Sequence, residues 1–298
     1  MKGIILAGGE GTRLHPLTLV TSKQLLPVYN KPMIYYPLAT LMQAGIHEIL
    51  IISSPQDLPR FEKLLSDGSS LGLKISYCVQ EKPRGIAEAF IIAESFIQSD
   101  PVALVLGDNL FYGLNMERLL MESSMLKNGG IVFGYEVVNP TRYGVIAFDK
   151  NNKIVDIIEK PTIPPSNYAV TGLYFYDSKV VEIAKKLKPS KRGELEITDV
   201  NSAYLKRGEL TVKLFDRGSA WLDTGTHEAL HNASNFVQMV EERQGIRIGC
   251  IEEIAFQKGL ISLEQFEKLA EKANQSAYGS YLMQRVISAS EKRMNAFS

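Results

Sequence analysis

Short apolar runs alternate with amphipathic stretches through the first third of the chain. The apolar runs lie at residues 3–7, 48–52 and 102–106, and stretches with helical periodicity lie at residues 36–44, 59–65 and 86–96. Apolar runs of this length, closed by turn residues, are typical of strands that are buried on both faces. The alternation therefore predicts an α/β fold with a mostly parallel sheet covered by helices. In such sheets ligands bind beyond the carboxyl ends of the strands.

The pattern changes in the second half of the chain. Strand-like segments lie at residues 131–137, 144–148, 154–158 and 169–175, and helical segments lie at residues 179–187 and 197–206. The polar residues 149–153 predict a hairpin turn between two of these strands. From Thr226 the apolar positions have helical spacing, with Thr226 as the expected N-cap and Gly245 as the expected C-terminal stop. We expect a helical C-terminal part that packs on the core or on a neighbouring subunit.

Composition narrows the range of partners. The 298 residues include 33 Lys and Arg against 33 Asp and Glu, so the net charge does not indicate a nucleic-acid or anionic-membrane partner. No apolar run approaches the roughly 20 residues that span a bilayer. The two cysteines, Cys78 and Cys250, have neither a disulfide framework nor metal-ligand spacing, which favours the cytoplasm. A phosphorylated ligand would have to be held by local groups.

A glycine-rich segment follows the first predicted strand. Gly8, Gly9 and Gly11 leave room for backbone N–H groups to approach phosphate oxygens, and Arg13 adds a guanidinium suited to phosphate. The segment has neither the Gly-Lys-Ser/Thr ending of a Walker A loop nor the spacing of a dinucleotide-binding loop. Lys23 could reach the same phosphates. By themselves these glycines also suit a tight strand-to-helix turn, and Lys23 also suits a surface position.

Further motifs are spread over most of the chain at compatible spacing. They are LAGGEGTRL at residues 6–14, Lys23 with Pro27 and Val28, LGDN at 106–109, EKP at 159–161, RGELEITD at 192–199 and WLDTG at 221–225. Together they resemble the sugar-phosphate nucleotidylyltransferases, and most closely the glucose-1-phosphate thymidylyltransferases. The resemblance implies a Rossmann-like mixed sheet of the nucleotide-diphospho-sugar transferase type. It also implies a catalytic core at residues 1–225, with a nucleotide half to about residue 110 and a sugar-phosphate half after it, and a helical extension at residues 226–298.

The resemblance implies a role for each matching residue. Asp108 and Asp223 would hold Mg2+, since a hard cation prefers carboxylate oxygens. The expected catalytic residues are Arg13, Lys23, Lys160 and Arg192. The expected nucleotide-binding residues are Leu6, Gly8, Gly9, Gly11, Thr12, Arg13, Gln80, Gly85 and Asp108. The expected sugar-phosphate-binding residues are Tyr143, Gly144, Glu159, Lys160, Val170, Arg192 and Trp221.

The implied reaction transfers a thymidylyl group from dTTP to α-D-glucose 1-phosphate. The sugar phosphate would attack the α-phosphorus in line, in a Mg2+-dependent step that gives dTDP-glucose and pyrophosphate and feeds deoxysugar or rhamnose biosynthesis. This nucleophile is already an anion, so the reaction needs alignment and charge neutralisation rather than a general base. The resemblance further implies a homotetramer built as a dimer of dimers.

Several alternatives remain at the level of sequence. The same chemistry could use UTP, and a related protein could bind a nucleotide sugar without turning it over. A dinucleotide-dependent oxidoreductase is a third reading, which the glycine spacing disfavours. The chain also has Arg84 and Glu88 where many relatives have aspartate and glutamine, a difference that leaves the fine preference for the base open.

Overall fold

The computed structural model describes the backbone of residues 1–296 and the side chains of residues 1–291. The strands are β1 (Lys2–Ala7), β2 (Pro27–Val28), β3 (Lys31–Pro32), β4 (Glu48–Ser53), β5 (Lys74–Val79), β6 (Val102–Leu106), β7 (Asn109–Tyr112), β8 (Gly130–Glu136), β9 (Gly144–Phe148), β10 (Ile154–Glu159), β11 (Tyr168–Tyr176), β12 (Leu210–Leu214) and β13 (Ala220–Asp223). The helices are α1 (Tyr35–Gln43), α2 (Leu58–Leu65), α3 (Glu88–Ile92), α4 (Glu94–Ile97), α5 (Met116–Ser124), α6 (Val180–Lys186), α7 (Ile197–Lys206), α8 (His227–Gln244), α9 (Ile251–Gln257), α10 (Leu263–Lys272) and α11 (Ala277–Ala296).

Nine of these strands form one central mixed sheet. Its main path runs β10-β9-β11-β6-β1-β4-β5, and β8 pairs with both β11 and β12. β1 lies parallel to β4 and β6, and β4 lies parallel to β5. Every antiparallel pair of this sheet involves β9 or β11. The predicted α/β fold, with a mixed, mostly parallel sheet flanked by helices, is confirmed.

The two faces of the sheet are both buried, which explains the continuous apolar runs in the sequence. Consecutive residues of a strand point to opposite faces. Ile4 accordingly packs in a core with Phe90 of α3 and Tyr204 of α7, whereas Ile5 packs in a second core with Leu38 of α1 and with α9, α10 and α11. A strand covered on both sides has no solvent-facing positions, so it shows no alternation.

The predicted elements differ from the structure in two respects. The single helix expected at residues 86–96 is two short helices, α3 and α4, which meet at Ala93. Strands β2, β3, β5, β7, β12 and β13 were not predicted, because they are short, are only partly apolar or pair with segments far away in sequence. Helix α5 was not predicted either. The hairpin turn between β9 and β10 is confirmed. So are the ends of α8, where Thr226 Oγ1 accepts from the Ala229 amide and Gly245 has a φ of 64°.

The parallel strands place three residues of the predicted site at one edge of the sheet. Gly8 follows β1, Gln80 follows β5 and Asp108 lies two residues after β6. The backbone N–H of Gln80 donates to Ser53 O at 2.8 Å, and the backbone N–H of Gly107 donates to Leu6 O at 2.9 Å. These bonds extend the strand pairing by one residue and fix the positions from which the side chains project.

A buried ion pair joins the C-terminal part to the segment after Lys23. Glu241 of α8 accepts from Lys31 Nζ at 2.9 Å, from Asn30 Nδ2 at 2.7 Å and from Arg247 Nη1 at 3.0 Å. Burial lowers the pKa of Lys31, and Glu241 works against this effect. The pair ties the β2–β3 hairpin to α8. Within the described residues, no helix is long and apolar enough to cross a membrane.

Removal of the Glu241 carboxylate should destabilise the whole fold. In Glu241→Ala, Lys31 would remain as a buried cation with a side chain only 2% exposed and without its carboxylate partner. We expect the free energy of unfolding to fall by about 3–5 kcal/mol, measured by urea denaturation. The neighbouring Glu242→Ala, at an exposed position, is the matched control and should change it by less than about 0.5 kcal/mol. Equal effects of the two variants would contradict a structural role for the pair.

Candidate active site

A cleft of about 340 Å³ opens at the carboxyl edge of the parallel strands. Most of the residues predicted from the sequence line it: Leu6, Gly8, Gly9, Arg13, Lys23, Gln80, Gly85, Asp108, Tyr143, Gly144, Glu159, Lys160, Val170, Arg192, Trp221 and Asp223. Gly11 and Thr12 do not line this cleft. They begin the short 3-10 helix Thr12–Leu14 that carries Arg13, and Gly11 adopts a φ of 60° there.

The glycine-rich segment brings the backbone close to two other parts of the cleft. A Cβ atom added at Gly8 would lie only 2.5 Å from Gln80 Oε1, so a side chain at this position would displace the amide. On the other side, a Cβ added at Gly225 would lie 2.9 Å from Arg13 Nη2 and 3.0 Å from Asp223 Oδ1. Arg13 therefore projects from the glycine-rich segment to the neighbourhood of Asp223.

The two predicted metal ligands are brought together by a small two-stranded sheet. β7 and β13 pair antiparallel, and Asp223 stands opposite Asn109 in the register. Thr224 donates to Asp108 O through its amide at 3.1 Å and its hydroxyl at 2.8 Å. Asp108 and Asp223 are 115 residues apart in sequence, but the pairing fixes their backbones side by side.

The pKa values of these two carboxyl groups are shifted in opposite directions. Burial works to raise the pKa of Asp108, but its ion pair with Lys23 and its hydrogen bonds outweigh burial and hold the pKa below the usual value. Burial and the nearby charge of Asp108 raise the pKa of Asp223, although Lys23 and Arg13 partly offset them. A buried and a half-buried carboxylate that repel each other form a site that favours an additional cation.

The residues present fit a magnesium ion that is shared with a substrate. Within the part of the chain that the structure describes, no cluster of three or more His, Cys, Asp or Glu side chains is placed to hold a metal by itself. Magnesium is usually bound by one or two carboxylates together with substrate phosphates and water. Asp108 and Asp223 supply that number of carboxylates, and both line the cleft.

The opposite wall of the cleft carries Glu159 and Lys160 at the end of β10. Glu159 Oε2 accepts from Thr198 Oγ1 at 2.5 Å, and Glu159 Oε1 lies 3.3 Å from Arg192 Nη2. Lys160 has a φ of 43°, and its amide donates to Tyr143 O at 2.9 Å. Its Nζ lies 3.6 Å from Glu159 Oε1 and is half exposed. The turn at Lys160 allows both side chains to line the cleft, although strand alternation alone would separate them.

The guanidinium of Arg192 is held by three glutamate side chains. Its guanidinium binds both carboxylate oxygens of Glu196, at 2.8 and 2.7 Å, and lies 3.3 Å from Glu194 Oε2 as well as from Glu159. Partial burial disfavours its charge, but these carboxylates raise its pKa overall. A phosphate would have to replace Glu159 or Glu194, while Glu196 keeps the guanidinium in place.

Asn109 is a site residue for which sequence reasoning assigned no role. Its Oδ1 accepts from Trp221 Nε1 at 2.6 Å and from the Gly172 amide at 3.1 Å, and its Nδ2 donates to Asp108 Oδ1 at 3.0 Å. The Trp221 ring lies 5.1 Å from the ring of Tyr143, centroid to centroid. Asn109 thus joins the carboxylate pair to the aromatic wall. Its position beside Asp108 in the LGDN segment was the available signal.

Other cleft residues were also missed. They are Gln24, Pro83, Ile86, Leu106, Arg142, Tyr174, Glu194, Glu196, Ile197, Thr198 and Asn201. Several lie in or next to recognised motifs, such as Thr198 in RGELEITD. Arg142 lies outside every motif, and only the folded chain brings its charge near Asp223.

The loop between β5 and α3 is fixed against the loop between α6 and α7. The Leu195 amide donates to Arg84 O at 2.7 Å, and the Ala87 amide donates to Leu195 O at 3.2 Å. A Cβ atom at Gly85, which has a φ of 104°, would collide with the Leu195 backbone. The two halves of the cleft are therefore held at a fixed separation on this side.

Comparisons with known proteins place the chain in a family. A family model described as nucleotidyl transferase matches residues 2–239. The glucose-1-phosphate thymidylyltransferase of Neisseria meningitidis serogroup A / serotype 4A is 56% identical over 283 residues, which cover 95% of this chain and 98% of that relative.

Solved structures agree with this assignment. A Bacillus anthracis protein assigned as a glucose-1-phosphate thymidylyltransferase, in complex with a sucrose, is 45% identical with a TM-score of 0.74 over 79% of this chain and 94% of its own. A UDP-glucose pyrophosphorylase complexed with UDP-glucose is 27% identical with a TM-score of 0.70 over 80% of this chain and 98% of its own. The identity to the two thymidylyl proteins, 45% and 56%, is clearly higher. The chain therefore belongs to the nucleotidyl transferase family and, within it, to the glucose-1-phosphate thymidylyltransferases.

Proposed function

We propose that this chain transfers a thymidylyl group from dTTP to α-D-glucose 1-phosphate and releases pyrophosphate. The observation that carries the proposal is the single cleft in which a repelling carboxylate pair, Asp108 and Asp223, lies with cationic groups on both walls. Such a site suits two anions that must be brought together. The nucleotide-sugar product, dTDP-glucose, would feed deoxysugar or rhamnose biosynthesis.

The roles of the residues follow from their charges and positions. Arg13 and Lys23 would stabilise negative charge on the leaving pyrophosphate, and Lys160 and Arg192 would hold the attacking sugar phosphate. Glu159 would accept hydrogen bonds from sugar hydroxyls, since Thr198 and Arg192 already orient its carboxylate. No general base is required because the nucleophile is already an anion, so alignment and charge neutralisation lower the barrier.

Magnesium would be held by Asp108 and Asp223 together with substrate phosphates. When bound, it would neutralise phosphate charge and hold the two anions in reach of each other. The direct contact between Lys23 and Asp108 fits this arrangement, because Lys23 compensates the Asp108 carboxylate without the metal and is placed to contact phosphate when the carboxylate binds the cation.

The choice of dTTP over UTP is part of the proposal. Thymine and uracil present the same N3–H and O4 groups to an amide such as that of Gln80 and differ by one methyl group. Support for dTTP comes from the relatives named glucose-1-phosphate thymidylyltransferase, which match over nearly the whole chain at 52–56% identity, against 27% for the UDP-glucose pyrophosphorylase.

We also propose the organisation of the protein around this activity. Residues 1–225 would form the catalytic core, and residues 226–298, of which the last two lie outside the described residues, would stabilise it or contact a neighbouring subunit. A homotetramer built as a dimer of dimers would have a mass of four times 33.2 kDa, which sedimentation velocity can measure. Two free cysteines favour the cytoplasm as its location.

A matrix of substrates tests the proposed reaction directly. Pyrophosphate release would be measured with dTTP, dUTP, UTP and dCTP, each with glucose 1-phosphate, galactose 1-phosphate or mannose 1-phosphate. We expect dTTP with glucose 1-phosphate to give the highest kcat/KM, and no release without a divalent cation. Inactivity with every pair would favour a protein that binds nucleotide sugars without catalysis, and a best rate with UTP would favour the uridylyl alternative.

Asp223→Asn should separate activity from stability. We expect kcat to fall by at least about tenfold, because the amide is a poor Mg2+ ligand. The raised pKa of Asp223 means that its ionised form destabilises the metal-free fold as pH rises through that pKa. Loss of this charge should therefore raise the melting temperature at pH 8, and the difference should shrink toward acid pH. Asp156→Asn, at an exposed position, is the control and should change neither. Near-normal kcat at saturating Mg2+ would remove Asp223 from the metal site.

The substitution Lys160→Gln should weaken the binding of the sugar phosphate more than the binding of the nucleotide. Because the ammonium group lies on the Glu159 wall of the cleft, we expect KM for glucose 1-phosphate to rise about tenfold while KM for dTTP changes little. Initial rates with each substrate varied in turn measure both constants. Lys153→Gln, an exposed lysine on the same hairpin, is the matched control. An equal rise of both KM values would contradict the assignment.

A further inference from the structure

We infer that Glu88 fixes the amide of Gln80 in the orientation that reads a keto base and rejects an amino base. Glu88 would thus be a positioning residue for base selectivity, although it has no contact with the reacting atoms. The inference rests on the proposed function, in which the base of the triphosphate lies beside Gln80.

The hydrogen bond between the two side chains determines which way the amide points. Gln80 and Glu88 are each only 5% exposed, and Gln80 Nε2 donates to Glu88 Oε2 at 2.8 Å. A carboxylate offers acceptors only, whereas an amide has one donor end and one acceptor end. Rotation of the amide by 180° would place Gln80 Oε1 against the carboxylate oxygen. The NH2 end must therefore face Glu88.

Arg84 holds the Glu88 carboxylate so that it cannot turn away. The Arg84 amide donates to Glu88 Oε2 at 3.2 Å, and its Nε donates to Oε1 at 2.7 Å. Arg84 Nη2 also lies 2.7 Å from Oε1. The backbone of Arg84 is itself bound to Leu195. The position of the carboxylate is therefore fixed by the segment that directly precedes α3.

The fixed amide presents a defined pattern to the cleft. Its Oε1 lies over Gly8, where a Cβ atom would be only 2.5 Å away, and both residues line the cleft. Glu88 takes one amide hydrogen, which leaves Oε1 as an acceptor and the second hydrogen as a donor. Thymine and uracil match this pattern with N3–H and O4.

Cytosine presents the reverse pattern, a ring nitrogen that accepts beside an amino group that donates. It could pair with Gln80 only if the amide turned over, which would bring Oε1 into repulsion with the Glu88 carboxylate. Otherwise the base and the amide would face each other with unpaired groups. Selectivity of this kind comes from a penalty on the wrong ligand rather than from a new contact with the right one.

The test is the ratio of kcat/KM for dTTP to that for dCTP, with saturating glucose 1-phosphate and the full chain. In Glu88→Gln the new amide can either accept or donate, so that both orientations of Gln80 are satisfied. We expect the ratio to fall at least about tenfold, while the dTTP to dUTP ratio stays unchanged because the amide does not read the C5 methyl group. Glu81→Gln is the same chemical change at an exposed position of the same segment and should leave both ratios unchanged.

Each outcome decides a separate question. An unchanged dTTP to dCTP ratio in Glu88→Gln, or an equal loss of activity with both triphosphates, would overturn the inference and leave Glu88 with a packing role. Inactivity of the unsubstituted chain with every triphosphate would instead overturn the proposed function. If Glu88→Gln does not fold, as judged by thermal melting, Glu88→Met removes the acceptor at similar length and must show the same change in the ratio.

Discussion

The repulsion between Asp108 and Asp223 is the constraint on which the site depends. Two neighbouring carboxylates in one cleft, the first buried and the second half-buried, are unfavourable unless positive charge lies between or beside them. The chain supplies Lys23 against Asp108 and Arg13 near Asp223. Burial and the charge of Asp108 outweigh this compensation and leave the pKa of Asp223 raised. Because the carboxylate charge is not fully compensated, the site favours binding of a cation together with phosphate groups. The overall net charge of zero is compatible with it, because all the compensation is local.

The surrounding structure keeps the two walls of the cleft in a fixed relation. The β7–β13 pairing sets the carboxylates side by side, and Asn109 ties them to Trp221 and to the strand that carries Gly172. Across the cleft, Leu195 binds the loop of Arg84 by two backbone hydrogen bonds. Alignment of two anionic substrates can contribute several kcal/mol to a barrier reduction only when such a frame is rigid.

Charge networks recur on both sides of this frame and have different consequences. Arg192 is surrounded by Glu159, Glu194 and Glu196, so a phosphate must compete with carboxylates that already neutralise the guanidinium. Arg84 and Glu88 form a closed pair, and its effect passes to the base through the orientation of the Gln80 amide. In the first network the guanidinium of Arg192 would contact the substrate directly. In the second network the carboxylate of Glu88 acts indirectly, because it excludes one orientation of the neutral Gln80 amide.

The sequence by itself determined the strand–helix alternation, because strands buried on both faces must be apolar throughout, and it determined the residue types of the site. Its motifs contained most of the predicted cleft residues, since phosphate, metal and sugar each require particular side chains. The sequence did not determine β7 and β13, which are short and find their partners more than a hundred residues away. It also could not assign Arg142, the Asn109 bonds or the Glu88–Gln80 contact. These depend on distances between segments that are remote in the chain or on the rotamer of an amide, and only tertiary packing fixes either.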